Sequence, residues 1–226
     1  MRILIYGDSN SWGLLDDGQG LRYAKRWPII MKDRLKDAFQ IEAEIIEECL
    51  PGRTTAYPDP QEGPEYNGLP FLKPALLSHA PLDLVIILLG TNDMKARFDA
   101  SARSVCDNLI QLAKIVRRAP VGQGKWREAT PPAVMIVTPA LMGERINNPS
   151  WLRYDEWQGG YDKMRQLPTL TKQAIAHLGD DAISFYDANE AVTPSERDPI
   201  HWGAESHHAL GAALADKISP VLRRAK

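Results

Sequence analysis

The run Leu84-Val85-Ile86-Ile87-Leu88-Leu89 constrains this chain more than any other stretch. Its residues are all aliphatic, and the run stops dead at Gly90-Thr91-Asn92-Asp93. A run with no polar alternation has no face to give to water. It therefore predicts a central strand, over about Leu82 to Leu89, of a parallel sheet covered by helices on both sides.

Other segments fit around that strand. Ile3 to Tyr6 opens the chain as a short apolar run cut off by Gly7-Asp8-Ser9, which predicts a buried strand and an abrupt turn. Ile41 to Leu50 alternates loosely, Ala133 to Val137 is apolar, and Ile183 to Tyr186 gives a short fifth strand. Between them, apolar residues recur at helical spacing over Arg22 to Phe39 (with Pro28 suited to the first turn), Leu69 to His79, Ser101 to Arg118, Tyr161 to Leu178 and Glu205 to Leu222. Strand and helix alternate throughout. The expectation is an α/β fold, a flavodoxin-like three-layer α/β/α sandwich with a five-stranded parallel sheet. No internal repeat or composition shift divides the chain, so residues 1–226 are expected to form one domain.

Charge and cysteine content exclude several classes of function. With 27 Lys and Arg against 29 Asp and Glu, the chain offers no basic field for nucleic acid or an anionic membrane. No apolar run approaches the roughly 18–20 residues that span a bilayer. The first strand is expected to begin at residue 2 or 3, so no secretory leader is expected ahead of it in the chain as given. The two cysteines, Cys49 and Cys106, belong to no CxxC pair or metal-spaced cluster and read as reduced thiols. A cytoplasmic location is expected, with no metal and no cofactor.

In an open parallel sheet, ligands bind outside the carboxyl ends of the strands. Here the first strand delivers Ser9, the second Gly52 and the third Asn92, while Asp198 and His201 follow the fifth. Singly, each has a plain structural reading: Ser9 as a helix cap, Gly52 as a turn residue, Asn92 as a cap, Asp198 as a turn brace and His201 as a packed imidazole. Together they match acyl transfer. A serine hydroxyl attacks an ester only when a base takes its proton, and imidazole is suited to that role near neutral pH. A carboxylate three positions earlier can reach the far ring nitrogen. The backbone N–H groups of Ser9 and Gly52 and the amide of Asn92 would then serve the oxyanion.

Gly7-Asp8-Ser9-Asn10, Gly52, Gly90-Thr91-Asn92-Asp93 and Asp198-Pro199-Ile200-His201, in that order, resemble the four blocks of the SGNH (GDSL-type) hydrolases. That resemblance implies a Ser9–His201–Asp198 triad, an oxyanion hole of Ser9, Gly52 and Asn92, and no metal. Asp8-Ser9 with Trp12-Gly13, Arg26-Trp27, Gly52-Arg53-Thr54-Thr55 and Pro81 to Ile87 are similar to the bacterial arylesterase and acyltransferase branch. It implies small acyl esters as substrates and, in some members, homo-oligomers. Two departures stand out: Asn10 occupies the motif's Leu position, where it would alter the pocket floor, and Pro51 precedes Gly52 where a small residue is usual.

Further candidates for contact with substrate are Trp12, Trp202, and the aromatics Trp151, Tyr154 and Trp157. The last three lie in an aperiodic segment, Leu141 to Gly160, read as a lid, pocket wall or oligomer contact. His207 and His208, farther along the last helix, are expected to be exposed. The leading expectation is a serine esterase for short-chain acyl or aryl esters, with an acyltransferase or perhydrolase, or a carbohydrate O-acetylesterase, on the same site as alternatives. A flavodoxin-like ligand-binding module is the non-enzymatic rival, but no Gly-rich phosphate cradle follows the first strand.

Overall fold

The computed structural model describes residues 1–224. Strands β1 (Arg2–Gly7), β2 (Glu44–Cys49), β3 (Leu84–Leu88), β4 (Ala133–Thr138) and β5 (Ile183–Asp187) form one sheet in the order β2-β1-β3-β4-β5, and every neighbouring pair is parallel. This is the α/β architecture that the alternation of segments predicts. The chain runs outward from β1 to β2 and then crosses back to place β3 on the other side of β1. That reversal creates a crevice at the carboxyl ends of β1 and β3. Gly7 pairs with Cys49 on one side and Leu88 on the other, so three strands end level and their exit loops share one edge.

Successive strand residues point to opposite faces, and each face has its own helices. On one side α2 (Trp27–Phe39) and α7 (Ala204–Arg224) pack Trp27, Met31, Leu210 and Leu214 over Ile3, Ile5 and Ile86. On the other, α3 (Gly68–Ser78), α4 (Ala102–Arg118) and α6 (Gly160–Leu178) pack Leu72, Leu109 and Leu167 over Leu4, Val85 and Ile87. Every residue of β3 is buried. At about 1.5–3 kcal/mol for each large aliphatic side chain removed from water, this strand is the main apolar anchor of the sheet. α4 begins with a reciprocal cap in which the Ser101 hydroxyl accepts from the Ser104 amide and the Ser104 hydroxyl accepts from the Ser101 amide.

Several elements differ from the expectation. α2 begins at Trp27, not at Arg22. Arg22 is spent elsewhere: its Nε donates to the Trp12 carbonyl at 2.5 Å, its Nη2 pairs with Glu47 at 2.8 Å, and its backbone bridges Leu14. β2 is shorter than 41–50, because Gln40 turns left-handed (φ 57°) and the Ile41 amide closes α2 on the Leu35 carbonyl. The 141–160 segment is built from a 3₁₀ turn at Glu144–Asn147 and a one-turn helix, α5 (Tyr154–Trp157). Among the described residues, no helix is long and apolar enough to cross a membrane.

Candidate active site

Gly7 ends β1 where a side chain would collide with the next turn: a Cβ there would lie 2.4 Å from Ser11 Oγ. The chain then turns at once into α1 (Ser9–Trp12). The Asp8 carboxylate caps that helix by accepting from the Asn10 amide at 3.0 Å. Ser9 is thereby held at the foot of the helix, 5 % exposed.

After β5 the chain folds back toward Ser9. Asp198 Oδ1 accepts from the amides of Ile200 at 2.8 Å and His201 at 3.3 Å, which makes a tight turn. The turn brings the other carboxylate oxygen to 2.6 Å from His201 Nδ1. The opposite ring nitrogen, Nε2, lies 3.1 Å from Ser9 Oγ. Burial pushes the Asp198 carboxyl up, but the hydrogen bonds from the His201 ring and the two amides outweigh it and hold the group below 3.8. A hydroxyl, an imidazole and an ionised carboxylate in series can pass a proton from oxygen to ring nitrogen while stabilising the resulting imidazolium.

The loops after β2 and β3 close the other side. Gly52 takes a left-handed conformation (φ 91°), and a Cβ there would meet the Tyr66 ring at 2.9 Å. Asn92 is 5 % exposed, and its Nδ2 donates to the Arg53 carbonyl at 3.2 Å. An amide nitrogen carries two protons, and this bond uses one of them. The Arg53 guanidinium sits over the Tyr6 ring, 4.2 Å from its centroid, and donates from Nη1 to the carbonyls of Gly7 and Glu48, joining the ends of β1 and β2. The sequence reading gave Arg53 no role. Its position directly after Gly52 was the available signal.

A family model described as the GDSL-like lipase/acylhydrolase family matches residues 5–209, a span that contains Ser9, Gly52, Asn92, Asp198 and His201. The chain belongs to this family. This GDSL-like acylhydrolase is an ester-hydrolysing enzyme. Est24, a carbohydrate acetylesterase from Sinorhizobium meliloti, is 33 % identical with a TM-score of 0.86, over 97 % of this chain and 99 % of its own. The M. smegmatis aryl esterase is 32 % identical with a TM-score of 0.84, over 97 % of this chain and 98 % of its own. A search of curated proteins gave no match.

The other candidate residues of the GDSL-like acylhydrolase divide by burial. Trp12 is half-buried with the Arg22 guanidinium 5.0 Å over its ring, and it shares a face of α1 with Ser9, three positions earlier. Trp151 and Tyr154 are also half-buried. Trp157 and Trp202 are buried, 2 % and 1 % exposed, and belong to the two separate apolar clusters on opposite sides of the sheet, with Lys95 and Arg153 over the Trp157 ring. Asn10 is 2 % exposed, and its amide is committed to the Ile200 carbonyl. His207 corrects the expectation of exposure. It is fully buried, its Nδ1 accepts from the Trp27 amide at 3.4 Å, and it makes edge contacts with Tyr23 and Trp202. His208 is exposed. Helical spacing placed both on one helix, and only the position of α2 decided which of them faces inward. Among the described residues, no group of three or more His, Cys, Asp or Glu is arranged to hold a metal ion.

Proposed function

We propose that the chain hydrolyses small carboxylic esters through an acyl-enzyme formed on Ser9. His201 Nε2 takes the hydroxyl proton as Ser9 Oγ attacks the ester carbonyl, and it passes that proton to the departing alcohol as the C–O bond breaks. Asp198 holds the imidazole in the tautomer with hydrogen on Nδ1 and stabilises the imidazolium. The backbone N–H groups of Ser9 and Gly52 and the second amide proton of Asn92 receive the charge that builds on the carbonyl oxygen. Water, deprotonated by the same imidazole, then releases the acid and restores Ser9.

One observation carries this reading: His201 bridges Asp198 at 2.6 Å and Ser9 at 3.1 Å across 192 residues of chain. The test is hydrolysis of p-nitrophenyl acetate by Ser9→Ala. A folded variant without activity supports the assignment, and a folded variant that retains wild-type activity refutes it.

A second reading narrows the substrate to an acetylated sugar. It draws on the likeness to Est24 and on a polar cavity of about 570 Å³ lined by Gln61, Glu62, Arg97, Arg153, Asp155 and Glu156. Those residues sit on the segments following β2, β3 and β4, with Asp155 and Glu156 on α5, and their mixed charges suit hydroxyl groups. Acetylated xylo-oligosaccharides hydrolysed with a higher kcat/KM than p-nitrophenyl acetate would favour it. Acyl transfer on the same site is separated from hydrolysis by the product ratio with added alcohol.

A further inference from the structure

Asn10 follows Ser9 on α1, and Ile200 precedes His201 on the loop after β5. Two contacts between these segments run side by side. His201 Nε2 meets Ser9 Oγ at 3.1 Å, and one residue outward on each segment Asn10 Nδ2 donates to the Ile200 carbonyl at 3.2 Å. Asn10 and Ile200 are 2 % and 4 % exposed, so water does not compete for the second contact.

The peptide unit between Ile200 and His201 is consequently held from both sides. Its carbonyl takes the Asn10 amide, and its N–H donates to Asp198 Oδ1 at 3.3 Å. That unit sets the direction in which the His201 side chain leaves the backbone. The Asp198 bonds lie within the loop and would move with it. Of the ties from outside, the Gly143 amide on the Pro199 carbonyl (2.7 Å) and the Ser195 hydroxyl on Asp16 lead to other loops. The Asn10 tie leads to the helix that carries Ser9.

The amide is also only half satisfied, since Asn10 Oδ1 has no hydrogen-bond partner among the described residues. A buried amide in that state adds little net stability, because the unpaired acceptor offsets what the donor gains. Its effect therefore falls on geometry more than on the fold.

We propose that Asn10 is a positioning residue: by holding the Ile200 carbonyl it keeps the His201 imidazole within hydrogen-bonding distance of Ser9 through both proton transfers. This rests on the reading of Ser9 as nucleophile and His201 as base. It also gives a use to the residue that departs from the Leu of the family motif.

Asn10→Leu keeps the bulk and removes the donor, and Asn10→Ala removes both. Each is measured for kcat and KM on p-nitrophenyl acetate, for the rate of Ser9 phosphonylation by an uncharged p-nitrophenyl phosphonate, and for thermal unfolding. Displacing the base by a fraction of an ångström to one ångström should lower kcat by about 10- to 100-fold. KM should stay within about twofold, phosphonylation should slow by the same factor as kcat, and the melting temperature should remain near that of the wild type. A kcat within about twofold of wild type overturns the proposal, as does a loss that only follows the unfolded fraction, or failure of both variants to fold. Ser9→Ala is run alongside. Activity surviving in that variant overturns the reading of the nucleophile itself, whereas an inactive Ser9→Ala beside an unimpaired Asn10→Leu overturns the positioning role alone.

Discussion

The carboxylate of Asp93 accepts from the Thr55 amide at 3.0 Å and from the Thr55 hydroxyl, fastening the exit of β3 to the exit of β2. Gly52 and Asn92 stand on these two loops, so their spacing depends on this clamp. Asp93 is fully buried, and removing its carboxylate leaves two donors without a partner. Asp93→Ala should lower stability by about 1–3 kcal/mol for each donor stranded, and kcat with it. Thr55→Val, which keeps the backbone contact, should lower both by less. Denaturant titration and steady-state kinetics on the two variants check the order.

Removal of a donor that the proposed mechanism assigns to the oxyanion has a different signature. Asn92→Ala should lower kcat by about 100- to 1000-fold with little change in KM, because the lost hydrogen bond forms on charge that exists only in the transition state. A rise in KM at constant kcat would instead assign Asn92 to ground-state binding.

His201→Ala and Asp198→Asn test the proton relay. If the three groups act as a unit, His201→Ala should cost about as much as Ser9→Ala, and the double variant should cost no more than either alone. Asp198→Asn keeps the shape but permits the wrong tautomer, with an expected loss on the order of 10⁴-fold in kcat. Additive losses in the double variant would separate the two groups.

Buried titrating groups give the fold a pH dependence whose sign is set by each shift. Burial, the largest effect on His207, holds its imidazole down to about 4 from 6.5. Between those values the folded state binds fewer protons than the unfolded state, so stability falls as pH drops from 6.5 toward 4. Burial pushes Asp8 and Asp93 up to about 6 from 3.8. There the folded state binds more protons, so stability falls as pH rises from 3.8 to 6 and is level above. The two trends oppose each other across pH 4–6. His207→Gln removes one of them, so relative to wild type it should gain stability at pH 4.5 over its value at pH 7.5. Parallel stability curves for the two proteins would show that His207 does not titrate this way.

The tryptophans separate by burial. Trp202→Ala empties a sealed site in the core and should cost about 3–5 kcal/mol. Trp12→Ala, at a half-buried position on the Ser9 face of α1, should change KM for aryl esters with a smaller effect on the melting temperature. Denaturant midpoints and an ester panel of graded chain length distinguish the two outcomes.

Much of this was legible in the chain because it is encoded locally. The unbroken aliphatic run of β3 can only be buried on both faces. The turn residues closing β1, β2 and β3 lie at strand ends whatever the packing, and Asp198 reaches His201 within one tight turn. The placement of Ser9, Gly52, Asn92 and His201 after β1, β2, β3 and β5, at one edge, follows once the sheet is parallel. What periodicity cannot contain is which of several aromatic or imidazole side chains on one element meets a neighbour from a distant part of the chain. Trp157 and Trp202 turned inward, His207 found the amide at the start of α2, and Asn10 found a carbonyl 190 residues away. Those choices depend on the relative placement of whole helices and loops. The amino-acid sequence determined the sheet and which polar groups stand at its edge, while only the tertiary structure decided which neighbours hold them in place.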